Sequence, residues 1–266
     1  MKTNLELINH LIDHTLLTTN ASKESMEKLV KEAKEYNFNS VCLRPEWVKD
    51  FSSEYKVSAV IAFPKEFIEC GDVADITYAK ARLGNVNLKD KIQETQEALE
   101  NGALELDPVI QVSNVNFLEI EEQEALKSEL GTYFSLADDF AEKNNKSIWI
   151  KPIFSCECLD DEEIDLSVSI MAEAVLDFKI ARPKTKLKFA YKNSTGFVKG
   201  LEKLGASPEL ISKISESLDL YDPEKNISIK AAGGIKTTED AQKIIEAANG
   251  RLSHIGTSNG VKISSP

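Results

Sequence analysis

Short apolar runs rich in β-branched and aromatic residues alternate with longer amphipathic segments along most of the chain. Each run ends in a polar or glycine-containing stretch, which is typical of a strand that leads into a turn. Eight such runs predict strands at 11–17, 40–45, 57–63, 103–110, 147–154, 187–193, 227–233 and 252–258.

The segments between these runs have helical spacing. One predicted helix carries apolar residues at i, i+3, i+4 and i+7. These residues are Met26, Leu29, Val30 and Ala33. A second helix is predicted to begin at Thr237, because Asp240 follows three residues later and the pair has the spacing of a capping box.

Eight strands alternating with helices predict a (β/α)8 TIM barrel, a single domain over residues 1–266. A doubly wound open sheet is the alternative, but no G-x-G-x-x-G motif follows the first predicted strand. Segments 64–90 and 176–187 exceed what a minimal barrel needs, and we expect them to form extended loops that flank its mouth. Only NGVKISSP follows the last strand, so we expect a short or absent final helix.

Composition narrows the class of protein. The net charge of −12 argues against a nucleic-acid-binding protein, which needs a basic face. No apolar run is long enough to span a membrane. Cys156 and Cys158 form C-x-C, and the four cysteines do not resemble a disulfide framework. We therefore expect a cytoplasmic protein with reduced thiols.

Polar residues fall near the carboxyl ends of the predicted strands, where TIM barrels carry their chemistry. They are Asp13, Cys42, Arg44, Asp107, Lys151, Lys192 and Lys230. A buried ion persists only when it is paired or serves a function. This repeated pattern favours an active site.

Structural explanations exist for each residue alone. A strand lysine often faces solvent at a sheet edge, and Asp13 and Asp107 have the residue type of turns and caps. His14 is expected to be a structural residue. His10 and His254 do not cluster with it in sequence, so no metal site and no cofactor are predicted.

Small residues and glycines follow the last three strands, in STGF, AAGGIKTTED and GTSNG. Glycine-rich turns expose backbone N–H groups, and the loops after strands 7 and 8 of many barrels bind phosphate. The alternative is that these glycines only permit tight turns. Because the loops occur together, we favour a phosphate site.

Several motifs occur in a fixed order: IDHTLL, SVCLRP, ENGALELDPVI, KNSTGF, KAAGGIKTTEDA and IGTSNGV. Together they resemble the deoxyribose-phosphate aldolase family, class I Schiff-base aldolases on a (β/α)8 barrel. The resemblance runs from about residue 11 to residue 262.

This resemblance implies reversible cleavage of 2-deoxy-D-ribose 5-phosphate to D-glyceraldehyde 3-phosphate and acetaldehyde. It implies that Lys192 forms the Schiff base and that Lys230 is its partner. Asp107 would transfer protons with Lys230 and a water, and Asp13 would support the site. The implied substrate contacts are Cys42, Lys151, Thr195, Gly196, Gly233, Gly234, Gly256, Thr257 and Ser258.

The sequence also departs from the family pattern. Asn193 replaces the usual threonine, Pro108 follows the strand-4 aspartate, and Ser155 with Cys156 replaces a Glu-Thr pair. Two other functions therefore stay open: a Schiff-base aldolase for another phosphorylated sugar, and a non-catalytic barrel that binds a sugar phosphate. The family resemblance also makes a homodimer possible.

Overall fold

The computed structural model describes residues 4–70, 73–112, 119–200 and 205–265. Its helices are α1 (Asn4–Asn9), α2 (Lys23–Tyr36), α3 (Pro45–Phe51), α4 (Val73–Arg82), α5 (Leu88–Glu100), α6 (Ile120–Asn144), α7 (Asp161–Ala181), α8 (Pro208–Tyr221), α9 (Thr238–Ala247) and α10 (Gly260–Ser264). Its strands are β1 (Ile12–Thr15), β2 (Ser40–Leu43), β3 (Val57–Ile61), β4 (Ile68–Glu69), β5 (Glu105–Pro108), β6 (Trp149–Ile150), β7 (Lys188–Lys192), β8 (Val198–Lys199), β9 (Ile227–Ala232) and β10 (Leu252–Thr257).

Eight of these strands close a parallel barrel in the order β1, β10, β9, β7, β6, β5, β3, β2. Each lies inside one of the eight predicted runs, which confirms the (β/α)8 barrel. The open-sheet alternative is wrong, because β1 pairs with β10 and closes the sheet. None of the described helices is long and apolar enough to cross a membrane.

The predicted helices form where local signals favour them. The Ser22 side chain caps α2, and Asn37 ends the helix in the left-handed conformation. The four predicted apolar residues of α2 are buried. Thr237 and Asp240 make the predicted capping box at the start of α9.

The two long segments lie at opposite ends of the barrel. Segment 64–90 contributes β4 and α4, and β4 pairs with β8, which follows the carboxyl end of β7. This segment flanks the mouth, as expected. Segment 176–187 ends α7 and leads into the start of β7. Strand starts face away from the mouth in a parallel barrel, so the expectation that this segment flanks the mouth was wrong. The final helix, α10, has five residues and is short as expected.

Gly84, between α4 and α5, packs against the backbone that follows β5. Its φ is +65°, and a Cβ atom there would lie 2.5 Å from the carbonyl oxygen of Ile110. This close approach ties the extended segment to the top of the barrel. Only glycine meets both requirements.

We expect Gly84→Ala to lower the free energy of unfolding by about 1–3 kcal/mol, because it adds backbone strain and a steric clash. The matched control is Gly131→Ala in α6, where a Cβ meets nothing within 4 Å. That change should stabilise the helix by about 0.5–1 kcal/mol. Urea unfolding measures both, and a Gly84→Ala protein as stable as the wild type would contradict the role of this contact.

Candidate active site

Charged side chains fill the interior of the barrel near its mouth. Side chains alternate along a strand, so residues two positions apart on β5 both point inward. Six charged residues here are at most 3% exposed. They are Asp13, Glu105, Asp107, Lys151, Lys192 and Lys230. The structure therefore brings together the four residues expected to be catalytic: Asp13, Asp107, Lys192 and Lys230.

Asp107 is the centre of this charged cluster. Its Oδ2 atom accepts hydrogen bonds from Lys192 Nζ at 2.7 Å and Lys230 Nζ at 2.6 Å. Its Oδ1 atom lies 3.2 Å from Lys151 Nζ and accepts a hydrogen bond from Ser58. Burial alone would raise the pKa of Asp107, but the three lysines outweigh burial and hold that pKa far below its ordinary value. The group is a carboxylate.

Asp13 joins two of the same lysines from the opposite side. Its Oδ2 atom accepts from Lys230 Nζ at 2.6 Å and Lys151 Nζ at 3.0 Å. Its Oδ1 atom accepts from Asn39 and Ser40, each at 2.7 Å. Burial opposes ionisation, yet the charges of Lys151 and Lys230 lower the pKa of Asp13 well below its ordinary value.

Glu105 forms the deepest part of the cluster. It accepts from Lys151, and its Oε1 atom lies 2.9 Å from Lys56 Nζ. His254 Nε2 lies 3.5 Å from Glu105 Oε2. Asp13, Glu105 and His254 are close enough together to hold a metal ion. The ammonium group of Lys151 already lies between the two carboxylates and supplies the cation there.

Lys192 and Lys230 differ in how readily they lose a proton. Burial lowers the pKa of Lys192, and the positive charge of Lys230 lowers it further, so the nearby Asp107 carboxylate does not restore the ordinary value. Burial also acts on Lys230, but Asp107 and Asp13 together raise its pKa. Lys192 is therefore the better source of a neutral amine, and Lys230 remains an ammonium ion.

A cavity of about 280 Å³ opens above Lys192. Most of the predicted substrate contacts line it: Thr195, Gly196, Gly233, Gly234, Gly256, Thr257 and Ser258. Cys42 and Lys151 do not; both are buried in or beside the charged cluster. Lys151 contacts three carboxylates. Contact of Cys42 and Lys151 with the substrate stays a prediction.

The mouth also contains residues that the sequence did not identify. Thr15 to Thr18, Phe67, Phe197, Lys236 and Asn259 line the cavity. Phe67 stacks on Phe197 with ring centroids 4.4 Å apart, and Lys199 Nζ lies 3.5 Å from the Phe67 ring centroid. Phe67 reaches the mouth only because β4 pairs with β8, a pairing that no local pattern predicted.

Asn193 links the two strands that carry the lysine pair. Its side-chain amide accepts from the backbone N–H of Ala232 at 2.8 Å and donates to the Ala232 carbonyl at 3.2 Å. These are the bonds that a strand neighbour would make, so the ends of β7 and β9 stay in register. The Asn193 side chain therefore helps to hold Lys192 beside Lys230, its register partner on β9.

Comparison with known proteins identifies the family of this chain. The sequence profile of the DeoC/LacD family of aldolases matches residues 8–139. A relative named deoxyribose-phosphate aldolase, from Caldanaerobacter subterraneus subsp. tengcongensis, is 34% identical over 263 residues, which cover 96% of this chain and 91% of the relative. A Brevibacillus brevis relative of the same name is 33% identical over 261 residues, covering 96% and 94%. The chain belongs to the DeoC/LacD aldolase family.

A solved structure of the deoxyribose phosphate aldolase from Aeropyrum pernix shares the fold. Its TM-score with this DeoC/LacD aldolase is 0.73 at 26% identity, with 98% of this chain and 91% of the other covered. The Aeropyrum protein is described as a tetramer with a unique structure. A second solved aldolase, QR15, has a TM-score of 0.72 at 28% identity, with 97% of this chain and 94% of the other covered.

In this DeoC/LacD aldolase, we expect Lys151→Met to lower the free energy of unfolding by about 3–5 kcal/mol. The change removes a buried cation and leaves Asp13 and Glu105 short of a partner. Lys56→Met is the matched control, because Lys56 also pairs with Glu105 but its side chain is 33% exposed. The loss in free energy of unfolding for Lys56→Met should be much smaller. Equal losses in denaturant unfolding would rule out Lys151 as the structural cation of the cluster.

Proposed function

We propose that this chain is a class I aldolase that reversibly cleaves 2-deoxy-D-ribose 5-phosphate to D-glyceraldehyde 3-phosphate and acetaldehyde. The observation that carries the proposal is a lysine of lowered pKa at the base of a cavity, joined to a second lysine through the Asp107 carboxylate. The names of the curated relatives supply the substrate.

The chemistry begins with the neutral amine of Lys192. It attacks C1 of the open-chain sugar, and loss of water gives a protonated imine. Removal of the proton from the C3 hydroxyl breaks the C2–C3 bond, and the electron pair moves into the imine to give an enamine. D-Glyceraldehyde 3-phosphate leaves. Protonation at C2 and hydrolysis then release acetaldehyde and restore the amine.

Asp107 and Lys230 serve the proton transfers of this sequence. Both lysines donate to the same oxygen of Asp107, so this carboxylate lies within reach of the proton that Lys192 loses on attack and regains when the imine is hydrolysed. Lys230 keeps its charge and thereby holds the pKa of Lys192 down. The pair explains why two barrel strands end in lysine.

The glycine-rich wall is the proposed phosphate site. Gly233 and Gly234 have φ values of +86° and +79°, and both present bare backbone to the cavity. Lys236 lies on the same wall and adds a positive charge. Backbone amides and a nearby cation together favour a phosphate group.

The homodimer and the cytoplasmic location expected from the sequence stay predictions. The Aeropyrum pernix protein is described as tetrameric, which does not bear out the homodimer expected for this chain. The expected cytoplasmic location rests on the composition and on cysteine spacings that do not resemble a disulfide framework.

Borohydride reduction tests the nucleophile. We expect an adduct on Lys192 when the protein is mixed with 2-deoxy-D-ribose 5-phosphate and reduced, because reduction makes the imine permanent. Intact mass and peptide mass spectrometry locate it. Lys192→Met should lose the adduct and turnover but keep phosphate-ester binding. An adduct on another lysine would refute the assignment, and binding with no adduct would favour the non-catalytic alternative.

A second measurement tests the partner lysine. Lys230→Leu removes a positive charge that lowers the pKa of Lys192, so that pKa should rise. Because only the neutral amine attacks, the profile of kcat/KM should shift to higher pH. Lys236→Leu is the control: it should weaken binding without moving the profile along the pH axis. A Lys230→Leu profile at the wild-type position would exclude this role.

A further inference from the structure

Glu157 is a buried carboxyl group that the proposed reaction does not use. It lies in a 3-10 turn, Cys156–Cys158, directly after Ser155, whose φ is +50°. The turn is attached to the carboxyl end of β7, because the backbone N–H of Cys156 donates to the Asn193 carbonyl at 2.7 Å. Glu157 therefore lies behind the segment that follows Lys192, and 7% of it is exposed.

The carboxyl group organises that segment through two hydroxyl groups. Glu157 Oε1 accepts from Ser194 Oγ at 3.0 Å and, more weakly, from Thr195 Oγ1 at 3.5 Å. Each hydroxyl oxygen in turn accepts a backbone N–H: Gly196 donates to Ser194, and Phe197 donates to Thr195. Three of these loop residues, Thr195 to Phe197, line the cavity. The Glu157 carboxyl thus fixes the cavity wall from behind.

Among the described residues, no lysine or arginine forms an ion pair with Glu157, and its Oε2 atom has no hydrogen-bond partner. The groups that face it are the hydroxyls of Ser194 and Thr195, backbone N–H groups of Glu157 and Thr195, the thiols of Cys156 and Cys158, and the phenol of Tyr191. From α4, Lys80 is paired with Glu163.

Burial raises the pKa of Glu157 to about 7. Burial also raises the pKa of both thiols and of the phenol, so these neighbours stay neutral near that pH. Glu157 is then the group in this turn whose charge changes near neutral pH.

We propose that Glu157 is a positioning residue that holds the 194–197 wall through Ser194 and Thr195, and that a dianionic phosphate bound in the cavity favours its protonated form. The proposal rests on the proposed function, in which the phosphate binds against Gly233 and Gly234, in the cavity that Gly196 also lines. A phosphate on one side of this wall and a carboxylate on the other repel each other. A protonated carboxyl can still accept at Oε1 while Oε2 carries the proton. Substrate binding therefore takes up a proton at Glu157.

Kinetics of the Glu157→Gln variant test this inference. Glutamine keeps the acceptor oxygen but cannot ionise. From pH 6.5 to 9 we expect the wild-type KM for 2-deoxy-D-ribose 5-phosphate to rise about three- to tenfold. The KM of Glu157→Gln should stay nearly constant, while its kcat profile follows that of the wild type. The control is Glu162→Gln, an exposed carboxyl in the first turn of α7, which should behave as the wild type.

Superimposable KM profiles for the wild type and Glu157→Gln would overturn the role of Glu157. That result is distinct from failure of the proposed function, in which the wild type would not cleave the sugar phosphate at all. A purely structural role would lower stability or kcat without removing the pH dependence of KM.

Calorimetry provides a second test that does not depend on turnover. Inorganic sulfate, a dianion throughout this range, is titrated at pH 7 into Lys192→Met, in buffers of different ionisation enthalpy. That background removes the titration of Lys192. We expect uptake of a fraction of a proton per sulfate bound, and loss of this uptake when Glu157→Gln is added. Binding without proton uptake, or no sulfate binding, would overturn the inference.

Discussion

The rest of the site depends on the contact of Asp107 with three lysines. Burying a carboxylate or an ammonium ion is unfavourable unless the partner charges lie close. Three buried carboxylates, those of Asp13, Glu105 and Asp107, are matched by the ammonium groups of Lys56, Lys151 and Lys230. Lys192 is the fourth lysine in contact with this cluster. The three carboxylates are already neutralised without a positive charge on Lys192, which agrees with the lowered pKa of Lys192.

The charged cluster and the cavity above it are built from different parts of the barrel. The lysine pair, Asp107 and Asp13 lie on or immediately beside paired strands, where hydrogen bonding fixes their positions. The cavity walls come from the last residues of several strands, from the loops that follow them, and from Phe67 and Phe197, which directly precede the paired strands β4 and β8. Changes at Phe67 or Lys199 can therefore alter which substrate fits without disturbing the amine.

Much of the fold could be predicted because its signals are local. The eight runs have the β-branched and aromatic composition of buried parallel strands, and residues two apart share a face. The same rule could have placed Glu105 beside Asp107. By the same rule Lys188 and Lys192 share one face of β7. In the structure they lie at opposite ends of that strand, and Lys188 is at its exposed start, over the Trp149 ring. Phe67 and Glu157 carry no such signal, because their positions depend on chain segments far apart in sequence.

Asp107 and Glu157 are two carboxyl groups whose pKa values are shifted in opposite directions. Both are buried near the end of β7. Asp107 is surrounded by ammonium groups, which hold its pKa far below the ordinary value, whereas Glu157 meets hydroxyls and thiols, and burial raises its pKa. Environments that drive two pKa values apart allow separate roles at one pH. The Asp107 carboxylate beside Lys192 serves proton transfer, and the Glu157 carboxyl, which titrates near neutrality, responds to the charge of what the cavity holds.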